Sequence, residues 1–140
     1  FIKDTCCDPD MLVARLEQLN GTGIKLYNAN SQTFLYTLQH GAAGFSGIMG
    51  NFHPDVYAWM CENYDKEPEK AKKVQSFITL YAFLESLAYP QTAKYHMNKV
   101  GVPMSLWSRS CDQKKFTKYQ RMIIDDMMIS EEIVREMIKK

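Results

Sequence analysis

"KLYNANSQTFLYTLQHGAAGFSGIMGNFHP", residues Lys25 to Pro54, is the stretch on which the fold turns. Ile24 to Tyr27 reads as a short strand, and Asn28 to Ser31 as a polar turn. Phe34, Leu35 and Leu38 follow at helical spacing, and Gly41 closes that helix. Gly41 to Asn51 is rich in small residues, as suits a tightly packed strand with little room for side chains. Upstream, Phe1 to Cys7, "FIKDTCC", reads as a strand running into a loop. Asp8 and Pro9 suit the cap and first position of a helix. Leu12, Leu16 and Leu19 mark one face of it, and Gly21 and Gly23 end it. The first fifty residues therefore read strand, helix, strand, helix, strand, with short connections. That is the pattern of parallel strands joined by crossover helices, an α/β fold. An open sheet and a barrel both remain compatible with it.

After Asn51 only helices are expected. His53-Pro54 starts one with Tyr57, Met60, Cys61 and Tyr64 on a stripe, and Asn51 is read as its cap. Glu67-Pro68 starts a long one reaching Leu87, and Pro90 another ending at Gly101. Val102 to Asp112 is an irregular link. Lys114 to Lys140 is helical in two pieces, broken near Ser130, which caps "SEEIVREMIKK". The division is placed at residues 1–64, with the strands, and 65–140, all helical.

Composition limits the functional classes. The chain has 140 residues, 46% of them hydrophobic and 24% charged, with a formal net charge of +1. That suits a globular protein with a real core, and it gives no electrostatic case for nucleic acid or an anionic membrane. No apolar run approaches the roughly 18 residues of a spanning helix. Cys6, Cys7, Cys61 and Cys111 have no CxxC spacing, so four reduced thiols in a cytoplasmic protein are expected. His40, His53 and His96 show no metal-ligand spacing. Tyrosines and methionines at helical spacing are core or subunit interface.

Lys3 is a candidate for chemistry by its position. It sits at the end of a strand, just before the loop to the first helix. In an α/β barrel that end holds the active site. A partly dry barrel mouth favours the neutral amine, which attacks ketones to form imines. On position alone the stronger reading is a solvated charge near a chain end, since lysine is seldom buried.

The segment Lys3-Asp4-Thr5-Cys6-Cys7-Asp8 resembles the K-D/E-x-S/T-x-D motif of the dihydrodipicolinate synthase and N-acetylneuraminate lyase family, the Schiff-base-forming aldolases. The likeness continues in register. Lys25 to Pro54 is similar to the family's seventh strand, helix and eighth strand, with Gly41, Ala42, Gly44 and Asn51 on family positions. "AKKVQSFITLYAFL" and "AKYHMNKVGVP…SR" resemble its later helices, with Arg109 matching a tail arginine of structural rather than catalytic role. The resemblance implies strands six to eight of a (β/α)8 TIM barrel followed by a helical appendage, the C-terminal half of a longer protein. It implies that Lys3 condenses with pyruvate or another 2-oxo acid, which then undergoes aldol cleavage or adds to an aldehyde. No metal or organic cofactor is implied, because the imine is the electron sink. A homo-tetramer or homo-dimer is implied. The family's carboxylate-binding "GxxGE" segment and its proton-shuttling tyrosine have no counterpart here. Two substrate-binding positions depart from the pattern: Ala29 replaces a glycine after the seventh strand, and Ser46 replaces an isoleucine in the eighth. Both point to an unusual substrate or to lost activity.

Overall fold

The computed structural model describes residues 1–139, apart from the side chain of Gln113. The chain forms two compact units, Phe1–Thr79 and Leu80–Lys140, with the division falling inside one long helix.

The first unit holds β1 (Ile2–Asp4), α1 (Pro9–Leu19), β2 (Leu26–Asn28), α2 (Phe34–Gln39), β3 (Gly44–Phe45), α3 (Pro54–Asn63) and the start of α4 (Pro68–Ser86). The sheet is parallel throughout, with β2 in the middle. Ile2, Lys3 and Asp4 lie opposite Leu26, Tyr27 and Asn28, and Tyr27 lies opposite Gly44. Asp8 caps α1 by accepting from the amides of Asp10 and Met11, with Pro9 at the first helical position. Past the end of α1 the chain turns at Gly21, whose φ of +77° favours a residue without a Cβ. Leu12, Leu26, Phe34, Phe52, Val56, Met60, Val74 and Ile78 are all but sealed from solvent and make the core.

The short strands differ from the sequence expectation. β2 starts two residues later and ends one residue later than expected, at Leu26–Asn28. Ile24 is exposed, its amide held by the Thr22 hydroxyl in the turn leaving α1. Asn28, expected in a turn, ends the strand because side-chain partners satisfy its buried amide. β3 has two residues, and the rest of the small-residue stretch is a 3₁₀ turn at Ile48–Asn51. The N-cap position of α3 is His53, and Asn51 closes the 3₁₀ turn.

The second unit contains the end of α4, α5 (Gln91–Lys99), an irregular link and α6 (Lys118–Ile138). α6 begins four residues later than expected because Thr117 and Gln120 form a reciprocal capping box. It is one continuous helix with Ser130 in its interior, where a break was expected. Ile124, Met127, Glu131 and Val134 form its buried stripe. Within this unit His96 Nε2 meets Glu131 Oε2 at 2.9 Å, and Arg135 Nη2 meets the other oxygen at 2.5 Å. Among the described residues, no helix is long and apolar enough to cross a membrane.

Candidate functional site

The three residues singled out from the sequence, Lys3, Ala29 and Ser46, stand at one edge of the sheet. Lys3 is the middle residue of β1 and the cross-strand neighbour of Tyr27, whose ring packs edge-on against Phe1 with centroids 5.8 Å apart. Ala29 follows β2 and donates its amide to Asp4 O at 2.9 Å. Ser46 follows β3 and donates to Asn28 O at 2.8 Å. The ladder thus runs past the ends of β2 and β3 and sets Ala29 and Ser46 at the carboxyl-terminal edge, the binding edge of parallel α/β folds, with Lys3 one residue short of the end of β1. Gly47 makes this approach possible. A Cβ there would lie 2.5 Å from Ala29 O and 2.3 Å from the Phe45 ring, so only glycine fits. Ala29 and Ser46 are half-buried. Lys3 is exposed, where its proposed chemistry was expected to come with burial.

Behind this edge lies a polar scaffold. Asn28 donates to the hydroxyls of Thr33 and Thr37 and accepts from the Asn30 amide at 2.7 Å. Asn30 accepts from the Thr33 amide. The loop between β2 and α2 is held from two further helices. Ser31 Oγ and Tyr57 Oη of α3 are 2.7 Å apart. Gln75 of α4 donates to the carbonyls of Ser31 and Gln32 and to Thr79 Oγ1, and accepts from the Leu35 amide at 2.8 Å. The cluster of Asn, Ser and Thr was a readable signal of side-chain-built turns. Gln75, forty residues from Leu35 in sequence, carried no such signal.

The loop between β1 and α1 is fixed electrostatically. Asp4 is 3% exposed, accepts the Cys6 amide at 2.8 Å and pairs with Arg15 of α1. Burial opposes its ionisation, but the hydrogen bonds from Cys6 and Arg15 and the guanidinium charge outweigh it. The carboxyl is therefore held below its ordinary value. Burial, with the Asp4 carboxylate alongside, pushes the Cys6 thiol up, and burial does the same to Cys61. Both are resting thiols, not activated nucleophiles. All four cysteines are free. Ile2, Lys3, Asp4, Thr5, Cys6 and Arg15 contribute to one surface pocket of about 450 Å³.

No protein-family model matches the chain, and no curated protein matches it in sequence. Solved structures do match. Dihydrodipicolinate synthase from Thermotoga maritima superposes with a TM-score of 0.76 over 92% of this chain and 44% of its own, at 17% identity. A dihydrodipicolinate synthase family protein from Coccidioides immitis gives 0.69 over 96% of this chain and 45% of its own, also at 17% identity. The class of fold is therefore that of part of a TIM-barrel protein. The resemblance read from the sequence holds at the level of fold: the structural neighbours are dihydrodipicolinate synthase family proteins, and this chain spans somewhat under half their length.

Proposed function

We propose that this chain is part of a class I aldolase in which Lys3 forms a Schiff base with pyruvate or another 2-oxo acid. In this reading β1, β2 and β3 are the sixth, seventh and eighth strands of a (β/α)8 barrel, residues 1–64 close that barrel, and residues 65–140 are its helical appendage. The observation that carries it is the placement of Ala29 and Ser46 at the carboxyl-terminal edge of three parallel strands, with Lys3 one residue short of that end of β1, in a fold shared with dihydrodipicolinate synthase.

The Lys3 amine adds to the ketone and expels its oxygen as water, leaving a protonated imine. That imine withdraws electrons from the neighbouring carbon. The carbon can then lose a proton and add to an aldehyde, or an existing C–C bond can break. Ala29 and Ser46 line the substrate, and the Ser46 hydroxyl makes that wall more polar than the isoleucine of the family pattern. The loop that grips the keto acid's carboxylate and the tyrosine that shuttles protons belong to the other part of the family's barrel, so the 140 residues alone are expected to be inactive. Homo-oligomers, tetramers or dimers, are the proposed assembly.

A second reading is a barrel-derived or helical binding protein without catalysis, in which Lys3 is an ordinary charge. The exposure of Lys3 favours it. One experiment separates the two. The full-length natural protein is treated with pyruvate and borohydride, and its peptides are mapped by mass spectrometry. A reduced pyruvate adduct on Lys3, absent from Lys3→Ala, is the expected result. A full-length chain that gives no adduct with several 2-oxo acids sinks the aldolase reading and leaves the binding protein.

A further inference from the structure

α6 carries two apolar stripes, and the second unit buries one of them. Ile124, Met127 and Val134, with Glu131, face inward. Tyr119, Met122, Ile129 and Ile133 lie on the other side of the helix, each between 55% and 65% exposed. With Asp126 they stand at positions 119, 122, 126, 129 and 133, a spacing of three, four, three and four residues. That is the spacing at which one helix meshes with another along a seam. Single exposed apolar side chains are ordinary on a surface. Four large ones in seam register on a 21-residue helix make a patch, the mark of an interaction surface.

The charges along this seam select its occupant. Other charges of α6 are matched within the unit, Asp125 by Lys99 and Glu131 by Arg135. Lys118 and Glu136 are exposed and have no ion-pair partner among the described residues. Glu136 follows Lys118 by 18 residues, five full turns, so the two share one side of the helix at its opposite ends. A second α6 laid antiparallel across the first brings Lys118 of each copy to Glu136 of the other, twice, about a two-fold axis. A parallel pair would set lysine against lysine and glutamate against glutamate. We infer that the outer face of α6 is a self-association surface, occupied by the same face of a second copy of this chain in antiparallel register. The two Asp126 carboxylates then lie near the axis, where a polar residue in the seam fixes register at a cost in affinity. Five turns of paired helix are a small interface, so the association is reversible. The inference names a surface for the homo-oligomer proposed above, and it does not depend on the chemistry of Lys3.

The test is crosslinking of the full-length natural protein with a water-soluble carbodiimide, which joins a lysine amine to a carboxylate only where the two touch. Crosslinked peptides are mapped by mass spectrometry, and sedimentation velocity gives the assembly. A Lys118–Glu136 link is expected. It can only join two copies, because one helix holds the two groups about 27 Å apart along its axis. Ile129→Glu, at an exposed seam position, is expected to weaken association by about tenfold or more with helicity unchanged. Lys118→Glu and Glu136→Lys are each expected to weaken it, and the two together to restore it. Asp126→Asn is expected to tighten it. If Ile129→Glu does not fold, the charge swap still decides: rescue by the double variant supports the antiparallel pair, and its absence refutes it. A protein that stays monomeric at its highest soluble concentration overturns the inference. So does a link from Lys118 or Glu136 to another segment of the same chain or to a different protein. An assembly that Ile129→Glu leaves intact removes this surface and leaves the homo-oligomer standing on another. The pyruvate trapping result bears on Lys3 alone, so the two readings fail separately.

Discussion

Each unit buries charge, and they do so differently. In the first unit the buried acid is Asp4, at the edge of the sheet, and its partner Arg15 remains 42% exposed. In the second unit His96 and Glu131 are sealed between α5 and α6, with side chains 1% and 0% exposed, and Arg135 closes the remaining carboxylate oxygen. A pair that reaches solvent can be tuned by pH and by neighbours. A sealed pair is committed: it specifies how two helices pack, and breaking it strands a charge in the core. Buried carboxylates therefore serve a candidate site in one unit and architecture in the other.

The sharpest way to break this comparison is to remove Glu131. Glu131→Ala removes the acceptor that His96 and Arg135 share, and a cost of about 3–5 kcal/mol is expected in urea unfolding. The sealed-pair view fails if the loss is below about 1 kcal/mol, the scale of exposed pairs.

Gln75→Ala comes next. It removes an acceptor from the Leu35 amide and a donor from the Ser31 carbonyl, at an expected cost of about 2 kcal/mol. The larger signal is local: amide exchange at Ala29 to Leu35 should accelerate while the α5 and α6 amides are unchanged. Uniform acceleration throughout the chain would mean that Gln75 serves global stability and not the loop at the sheet edge.

The Asp4 pair sets a smaller effect with a definite sign. Its folded carboxyl is held below the ordinary value, so the unfolded chain takes up protons first as the pH falls. Stability from this group is complete above the ordinary carboxylate range and is lost as the pH drops below about 4. With Arg15 half in water the contribution is on the order of 1 kcal/mol. Asp4→Asn should flatten the acid limb of the stability curve by that amount and leave neutral pH comparatively flat. An unchanged acid limb removes Asp4 from the account of acid sensitivity.

The α/β order was legible because it rests on local signals: Asp8-Pro9 at a helix start, Leu12 facing inward, and the glycines after α1. The position of Lys3 near a strand's carboxyl end was legible for the same reason. What escaped depends on contacts distant in sequence. The Gln75 clamp spans forty residues, and the Asp4–Arg15 pair needs α1 folded back beside β1. Nor can a short apolar stretch announce its own limits. β3 shrank to Gly44–Phe45 because Gly47 must press against Ala29 O, after which the chain coils into a 3₁₀ turn.

Ser130 is the clearest instance of a local signal overruled, and it yields the smallest and most diagnostic prediction. "SEE" has the look of a cap followed by an acidic first turn. The helix continues because Ile124, Met127, Glu131 and Val134 form one stripe whose spacing of three, four and three residues runs unbroken through position 130. Restarting the helix there would rotate Glu131 and Val134 away from the face that buries Ile124 and Met127, and would strand the Glu131 carboxylate from His96. Packing thus outweighs a cap worth about 1 kcal/mol. In a continuous helix, replacing serine by alanine removes only its weaker propensity, so Ser130→Ala should stabilise the protein by about half a kcal/mol in urea unfolding. In a broken helix it would remove a cap and destabilise by about 1 kcal/mol. The sign of one conservative substitution therefore decides between the helix that the packing demands and the break that the local sequence suggests.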